Sequence, residues 1–202
     1  MRIGSLSDQE RMGIEAAQLD AYDRALDQLA DLGAEIIQFQ PAKPFEEMKE
    51  AAAVILTAEG YFHHGALMDD PDSLVDENVR PRFKAGADIS SAQYVGALLQ
   101  RDSDRESFSL AMQGIDALVT PTTPMLPTPL TETDELSTPA RFTRAINYLS
   151  MCGTSVPSGI SNGGLPTSLQ IACAGGNEAI CLQISAAYER ARGALPAPPL
   201  FA

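Results

Sequence analysis

Apolar and polar positions change period several times along the chain, and each change marks an element. Arg2 to Leu6 reads as a short strand. Ser7 and Glu10 follow at capping-box spacing. This predicts a helix start, since each side chain can satisfy a free backbone N–H of the first turn. Leu19, Tyr22, Leu26 and Leu29 recur at helical spacing, and Gly33 is placed to end that helix. Ile36, Ile37 and Phe39 predict a second strand ahead of Pro41 and Pro44. Strand, helix and strand in such a short span form a βαβ unit, so the two strands should run parallel.

A second helix is predicted from Pro44 to Leu67, with Phe45, Met48, Ala52, Ile55, Glu59, Phe62 and Ala66 on one stripe. A polar loop at Asp69-Asp70-Pro71-Asp72 leads into a shorter helical piece over Asp76 to Ala85. Ser90 with Gln93 is another capping box and opens a long helix to Gln113. Its stripe reads Tyr94, Leu98, Arg101, Arg105, Phe108, Met112 and Ile115, so two arginines interrupt an apolar face.

Ala117 to Thr120 reads as a strand, and a loop with five prolines runs from Pro121 to Pro139. A helix over Ala140 to Ser150 comes next. Thr154 to Ile160 and Leu165 to Ala172 then predict a hairpin around Ser161-Asn162-Gly163-Gly164. Within it Thr167, Leu169 and Ile171 face one way, and Pro166, Ser168 and Gln170 the other. Asn177 is read as the cap of a last helix, with Ile180, Ile184 and Ala187 inward, and the tail from Ala194 to Ala202 as extended. The sum is an α/β fold with a mixed β-sheet flanked by helices, read as a single domain over residues 1–202.

Composition narrows the function. The chain has 202 residues, 45% of them apolar and 20% charged, within the range of folded proteins. A net charge of −13 argues against a nucleic-acid partner, which needs clustered Lys and Arg. No apolar run reaches the length of a membrane span, and the N-terminus shows no signal-peptide core. Cys152, Cys173 and Cys181 lie in apolar stretches and read as free, buried thiols of a cytoplasmic protein. His63 and His64 are neighbours on a predicted helix and point about 100° apart, so no metal site is expected, and no cofactor motif is present.

Two features could carry chemistry. Glu59, Arg101 and Arg105 sit on stripes that otherwise face a core, where a charge must be paired. Either Glu59 pairs with an arginine and locks two helices, or an arginine points into a cavity and holds a ligand carboxylate. Pro121-Thr122-Thr123-Pro124 follows a strand, where α/β folds bind ligands; its hydroxyls either border a pocket or satisfy their own turn.

Asp116-Ala117-Leu118-Val119-Thr120-Pro121-Thr122-Thr123-Pro124 resembles the strand and loop of the amidase signature family. Asn147-Tyr148-Leu149, Val156-Pro157-Ser158-Gly159 and Gly164-Leu165-Pro166-Thr167-Ser168-Leu169-Gln170-Ile171 are similar to its closing hairpin region. Arg2-Ile3-Gly4, Ala58-Glu59 and the Gly86, Ile89, Ser90 and Tyr94 spacing also match, in order, so the likeness runs over nearly the whole chain. Ser150, Cys152 and Ser168 depart from many members.

The resemblance implies hydrolysis of carboxamide C–N bonds by a serine nucleophile, a bridging cis-serine and a lysine base, with an oxyanion hole from a Gly/Ser-rich loop. That machinery precedes the matched region. This chain has no Gly-Gly-Ser-Ser-Gly-like stretch, and none of Lys43, Lys49 and Lys84 sits in the family's lysine setting. The chain is therefore identified as the C-terminal portion of an amidase, inactive alone. Its implied partners are a small amide or carboxylate substrate, and the catalytic half or a second copy. The resemblance makes Arg101, Thr122 and Thr123 substrate-binding, and Glu59 and Arg105 structural or pocket-lining. The alternative is a non-catalytic binding module that keeps the fold and a small-carboxylate pocket.

Overall fold

A computed structural model describes residues 1–134 and 138–196. Five strands form one mixed sheet in the order β2-β1-β3-β5-β4: β1 (Arg2–Leu6), β2 (Glu35–Phe39), β3 (Ala117–Pro121), β4 (Cys152–Ile160) and β5 (Pro166–Cys173). β1 runs parallel to β2 and β3, as the βαβ pattern requires, and β3, β5 and β4 alternate in direction. The predicted hairpin is the β4–β5 pair, with a register shift between Pro157 and Gly159. β4 ends the sheet and has β5 as its only strand neighbour among the described residues.

β3 is buried along its whole length and β1 over four of its five residues, so helices must cover both sheet faces. On one, α2 (Ala16–Asp31) and α7 (Glu178–Arg192) pack on the strands and on each other. On the other, α3 (Phe45–Asp69), α5 (Ser91–Ala111) and α6 (Arg141–Tyr148) pack together. Edge-on rings link that layer to the sheet: Phe39 on β2 meets Phe108, Phe108 meets Phe45, and Phe45 meets Phe142. Tyr22 of α2 joins β1 to β3 where their pairing stops. Its hydroxyl accepts from the Leu6 N–H at 2.8 Å and donates to the Val119 carbonyl at 3.0 Å.

Three predicted details change. The first helix splits into α1 (Asp8–Arg11) and α2, with Gly13 at φ +77° between them. Ser7 does cap α1 by accepting from the Glu10 N–H, but the Glu10 carboxylate does not return the bond. It accepts instead from the Phe45 N–H at the start of α3 and from Arg141. Asn177 makes no side-chain cap on α7; its backbone carbonyl accepts from the Ile180 and Cys181 N–H groups. Gln170, on the β5 face opposite Leu169 and Ile171, is also buried and donates to Thr120 Oγ1 at 3.1 Å.

The stripe of α3 holds as far as Ile55 and then turns, so that Gly65 and Met68 are buried while Phe62 is 81% exposed. The cause is α4 (Val79–Lys84) and the 3₁₀ turn Ala85–Asp88, which pack on a different side of α3. Gly60 and Gly86 permit that approach: a Cβ on Gly60 would meet the Phe83 ring, and one on Gly86 the Thr57 carbonyl oxygen. The Ser90/Gln93 capping box of α5 forms in full. Residues 135–137 of the proline loop and 197–202 of the predicted extended tail lie outside the described residues.

Candidate functional site

One end of the sheet gathers the C-terminal end of β3, the start of β5 and the outer half of β4, because β5 and β4 run against β3. A hollow of about 680 Å³ opens there, with Thr123, Ser155, Thr167 and Ser168 in its wall. Thr122 donates its backbone N–H to the Ser168 carbonyl, and its hydroxyl pairs with that of Ser155 at 2.7 Å. The Thr123 hydroxyl donates to the Met125 carbonyl at 2.9 Å. Thr123 thus both stiffens its own turn and borders the hollow. The proline loop is held on α2: Glu15 donates its N–H to the Pro124 carbonyl, and its carboxylate accepts from the Leu126 N–H.

Arg101 and Glu59 share a second hollow of about 400 Å³ with Arg144, Asn147 and Tyr148, but they are not an ion pair. Glu59 is exposed and accepts a hydrogen bond from the Tyr94 hydroxyl at 2.7 Å. Arg105 is also exposed; it pairs with Asp102 at 3.6 Å and borders a different hollow, so it lines neither of the first two. The helix-locking pair read from the sequence is therefore absent. The buried stripe of α5 takes a step of three after Arg101, not four, and buries Asp104 with Phe108. Arg101 is half-buried, and its Nε is buried without a hydrogen-bond partner.

Asp104 is the charge that locks these helices. Its carboxylate accepts from Lys43 Nζ at 2.5 Å, the Tyr148 hydroxyl at 2.7 Å and Gln100 Nε2 at 2.9 Å. Burial opposes its charge, but these three donors outweigh burial and hold the carboxyl below its ordinary range. Burial, and then the Asp104 carboxylate, push the Tyr148 hydroxyl up. The other two lysines are also held by acids, Lys49 by Glu46 at 2.5 Å and Lys84 by Asp69 at 3.1 Å.

A third hollow of about 400 Å³ joins the first two: Asp134 borders it and the strand-end hollow, and Leu56 and Arg144 border it and the Arg101 hollow. Lys49, Arg82 and Arg144 line it. Arg144 donates to Thr138 Oγ1 at 3.2 Å. Sequence reasoning missed Arg82 and Arg144. No local signal marked them, because Lys49, Arg82 and Arg144 lie on α3, α4 and α6, which are far apart in sequence. Among the described residues, no group of three or more His, Cys, Asp or Glu side chains is placed to hold a metal ion.

The family profile "Amidase" matches residues 1–182. A subunit of the glutamyl-tRNA(Gln) amidotransferase of Mycobacteroides abscessus is 29% identical over 98% of this chain and 46% of its own length. Among solved structures, a chain of a vestigial protein complex bearing on the origins of an s-triazine catabolic enzyme superposes with a TM-score of 0.75. It is 26% identical, over 93% of this chain and 42% of its own. A bacterial aryl acylamidase of the amidase signature enzymes superposes with a TM-score of 0.76 at 20% identity, over 94% of this chain and 43% of its own. A mixed sheet of this order, with helices on both faces, is thus the fold of amidase signature enzymes. The chain belongs to the amidase family, and it spans about half the length of the relatives it matches, corresponding to their C-terminal part.

Proposed function

We propose that this chain is the substrate-lining part of an amide hydrolase, with the serine, cis-serine and lysine supplied by polypeptide that precedes the matched region in its relatives. The observation that carries this reading is the row of three hollows, which share walls from the Thr123 hydroxyl end to Arg101. An amide substrate with a carboxylate would set its anionic end against Arg82, Arg144 and Arg101, whose guanidinium forks suit a carboxylate. Its amide would then lie toward Thr122, Thr123 and Ser155, where the attacking serine completes the site.

The lysines support the same division of labour. A base lysine must reach the serine it serves, whereas Lys43, Lys49 and Lys84 each reach a carboxylate, of Asp104, Glu46 and Asp69. Ser158 and Ser161 are engaged locally: Ser158 donates to Thr167 Oγ1, and Ser161 Oγ accepts from the Leu165 N–H.

The test is to express this chain together with the preceding half of an amidase relative and to measure ammonia release from small amides. Turnover by the pair, with none from either alone, is the expected result. Turnover by this chain alone would overturn its assignment as the non-catalytic part, and failure of the two to co-purify would overturn the half-enzyme reading. A binding module is the second reading, favoured by the buried, unpartnered Nε of Arg101. Calorimetric binding of malonamate to the chain by itself, with no gain from the other half, would support it.

A further inference from the structure

We infer that Cys152 and Cys173 are a thiol–disulfide exchange pair, which a small disulfide such as oxidised glutathione converts into a bond between β4 and β5. All three cysteines of the chain converge at the open end of the hairpin. Cys152 begins β4, Cys173 ends β5, and the two are direct partners in the antiparallel register. Opposed residues of such a pair have Cα atoms about 4.5–5.5 Å apart, inside the about 4.4–6.8 Å that a disulfide spans. Their side chains leave the sheet on the same face. The Cys152 thiol already lies against its partner, donating to the carbonyls of Cys173 at 3.5 Å and Ala174 at 3.4 Å.

The third thiol is placed differently. Cys181 sits on α7, donates to the Ile171 carbonyl at 3.0 Å and lies 3.4 Å from Thr154 Oγ1. The Cys173 thiol also donates to it, so Cys181 is the competing partner, but no strand register opposes it to either of the others.

Access is unequal. Cys173 and Cys181 are 0% and 1% exposed, whereas Cys152 is partly open. Beside it lies a hollow of about 810 Å³, at the end of the sheet away from Thr123. Ser150 and Met151, which precede Cys152, and Ala174 and Gly175, which follow Cys173, are in its wall. That volume is in the range of small-molecule pockets. None of the three cysteines is itself in that wall; Cys152 alone is partly open, so a reagent disulfide meets it first.

The exchange balances in two steps. The Cys152 thiol gives its proton to solvent, and its thiolate attacks one sulfur of the reagent, breaking the reagent S–S bond and expelling one reagent thiolate. The Cys173 thiol then loses its proton and attacks the Cys152 sulfur, expelling the second. Two cysteines lose two protons and two electrons, and the reagent is reduced to two thiols. Burial pushes both protein thiols up, Cys173 to about 12, which makes the exchange slow rather than absent.

The experiment is overnight incubation of the full chain with oxidised glutathione, then unfolding in guanidinium with iodoacetamide and counting of alkylated cysteines by intact mass. The expected result is one alkylated cysteine, a mass loss of two hydrogens and full reversal by dithiothreitol. Serine variants assign the pair: Cys181→Ser should retain no free thiol, and Cys152→Ser should keep both of its remaining thiols. Three alkylated cysteines in the parent chain, glutathione left on Cys152 without a cross-link, or loss of both thiols in Cys152→Ser would each overturn the pair. Circular dichroism of both variants shows whether the fold is intact, and a glutathione reaction on the unfolded chain gives the random-pairing pattern for comparison.

Discussion

Glu10 and Arg141 meet across 131 residues at 2.7 Å, with side-chain exposures of 1% and 13%. The second Glu10 oxygen accepts from the Phe45 N–H, so one carboxylate ties the start of α3 to the start of α6. Arg141 also donates to the Met12 carbonyl and lies over the Phe142 ring. Removing one member of a buried pair strands the other charge, at a cost of about 3–5 kcal/mol. Glu10→Gln and Arg141→Met should each lower urea stability by that order, and the double variant should lose clearly less than their sum. Additive losses in the double-mutant cycle would show that the two residues act separately.

Asp104 sets an acid limit on stability. Its pKa is lower in the folded chain than unfolded, so the stabilisation it gives is complete above the unfolded value and is lost as pH falls through the folded one. The parent chain should therefore lose stability on acidification below about pH 4. Asp104→Asn should start lower at pH 7, by about 3 kcal/mol, and fall less steeply over the same acid window. Urea titrations at several pH values read both effects, and parallel curves would contradict them.

Ser150 follows α6 at φ +55°, the one left-handed non-glycine among the described residues. Helices commonly end on such a residue, usually glycine, and a side chain there costs about 1–2 kcal/mol. Ser150→Gly should gain stability, by roughly 0.5–1 kcal/mol after the added freedom of the unfolded chain is set against the relieved strain. A rise in melting temperature of about 1–4 °C checks this.

Gly86 and Gly96 should respond to alanine in opposite directions. A Cβ on Gly86 would lie 2.2 Å from the Thr57 carbonyl oxygen and 2.6 Å from the Tyr61 Cβ, contacts that no side-chain rotation relieves. Overpacking of this kind costs about 1–3 kcal/mol and should loosen the 3₁₀ turn from α3. Hydrogen exchange across residues 79–88 would detect it. A Cβ on Gly96, inside α5, meets nothing within 4 Å, so Gly96→Ala should stabilise by roughly 0.5–1 kcal/mol.

The strands, the parallel βαβ unit and the hairpin were legible because their period and turn residues are local properties. The partners of charged residues were not. Ser7 and Glu10 have capping-box spacing, yet Glu10 turns to a residue 131 positions away, which no local rule can select. On α5 the stripe fits Arg105 and Asp104 almost equally, since helical neighbours recur at three or four residues. Packing against Lys43 and Tyr148 decides for Asp104. Glu59 borders the Arg101 hollow but pairs with no arginine, for a similar reason: the glycine contacts of α4 and the 3₁₀ turn rotate which side of α3 is covered. Of the site, Thr122, Thr123 and Arg101 border the hollows or their rim, while Arg82 and Arg144 come together only through the tertiary fold.

The free border of β4 gives the chain a built-in directionality for self-association. Pro157 has no N–H to offer a new strand, and the register shift beside it bends the outer half of β4 out of line. The inner half, Cys152 to Val156, keeps regular pairing with β5 and has no such interruption. At high concentration, strand-to-strand association should start from that inner half, where a backbone ladder can extend. A proline at Ser155, whose N–H faces the same outward side as the Pro157 nitrogen, would then act as a gatekeeper, lengthening the lag before light scattering rises.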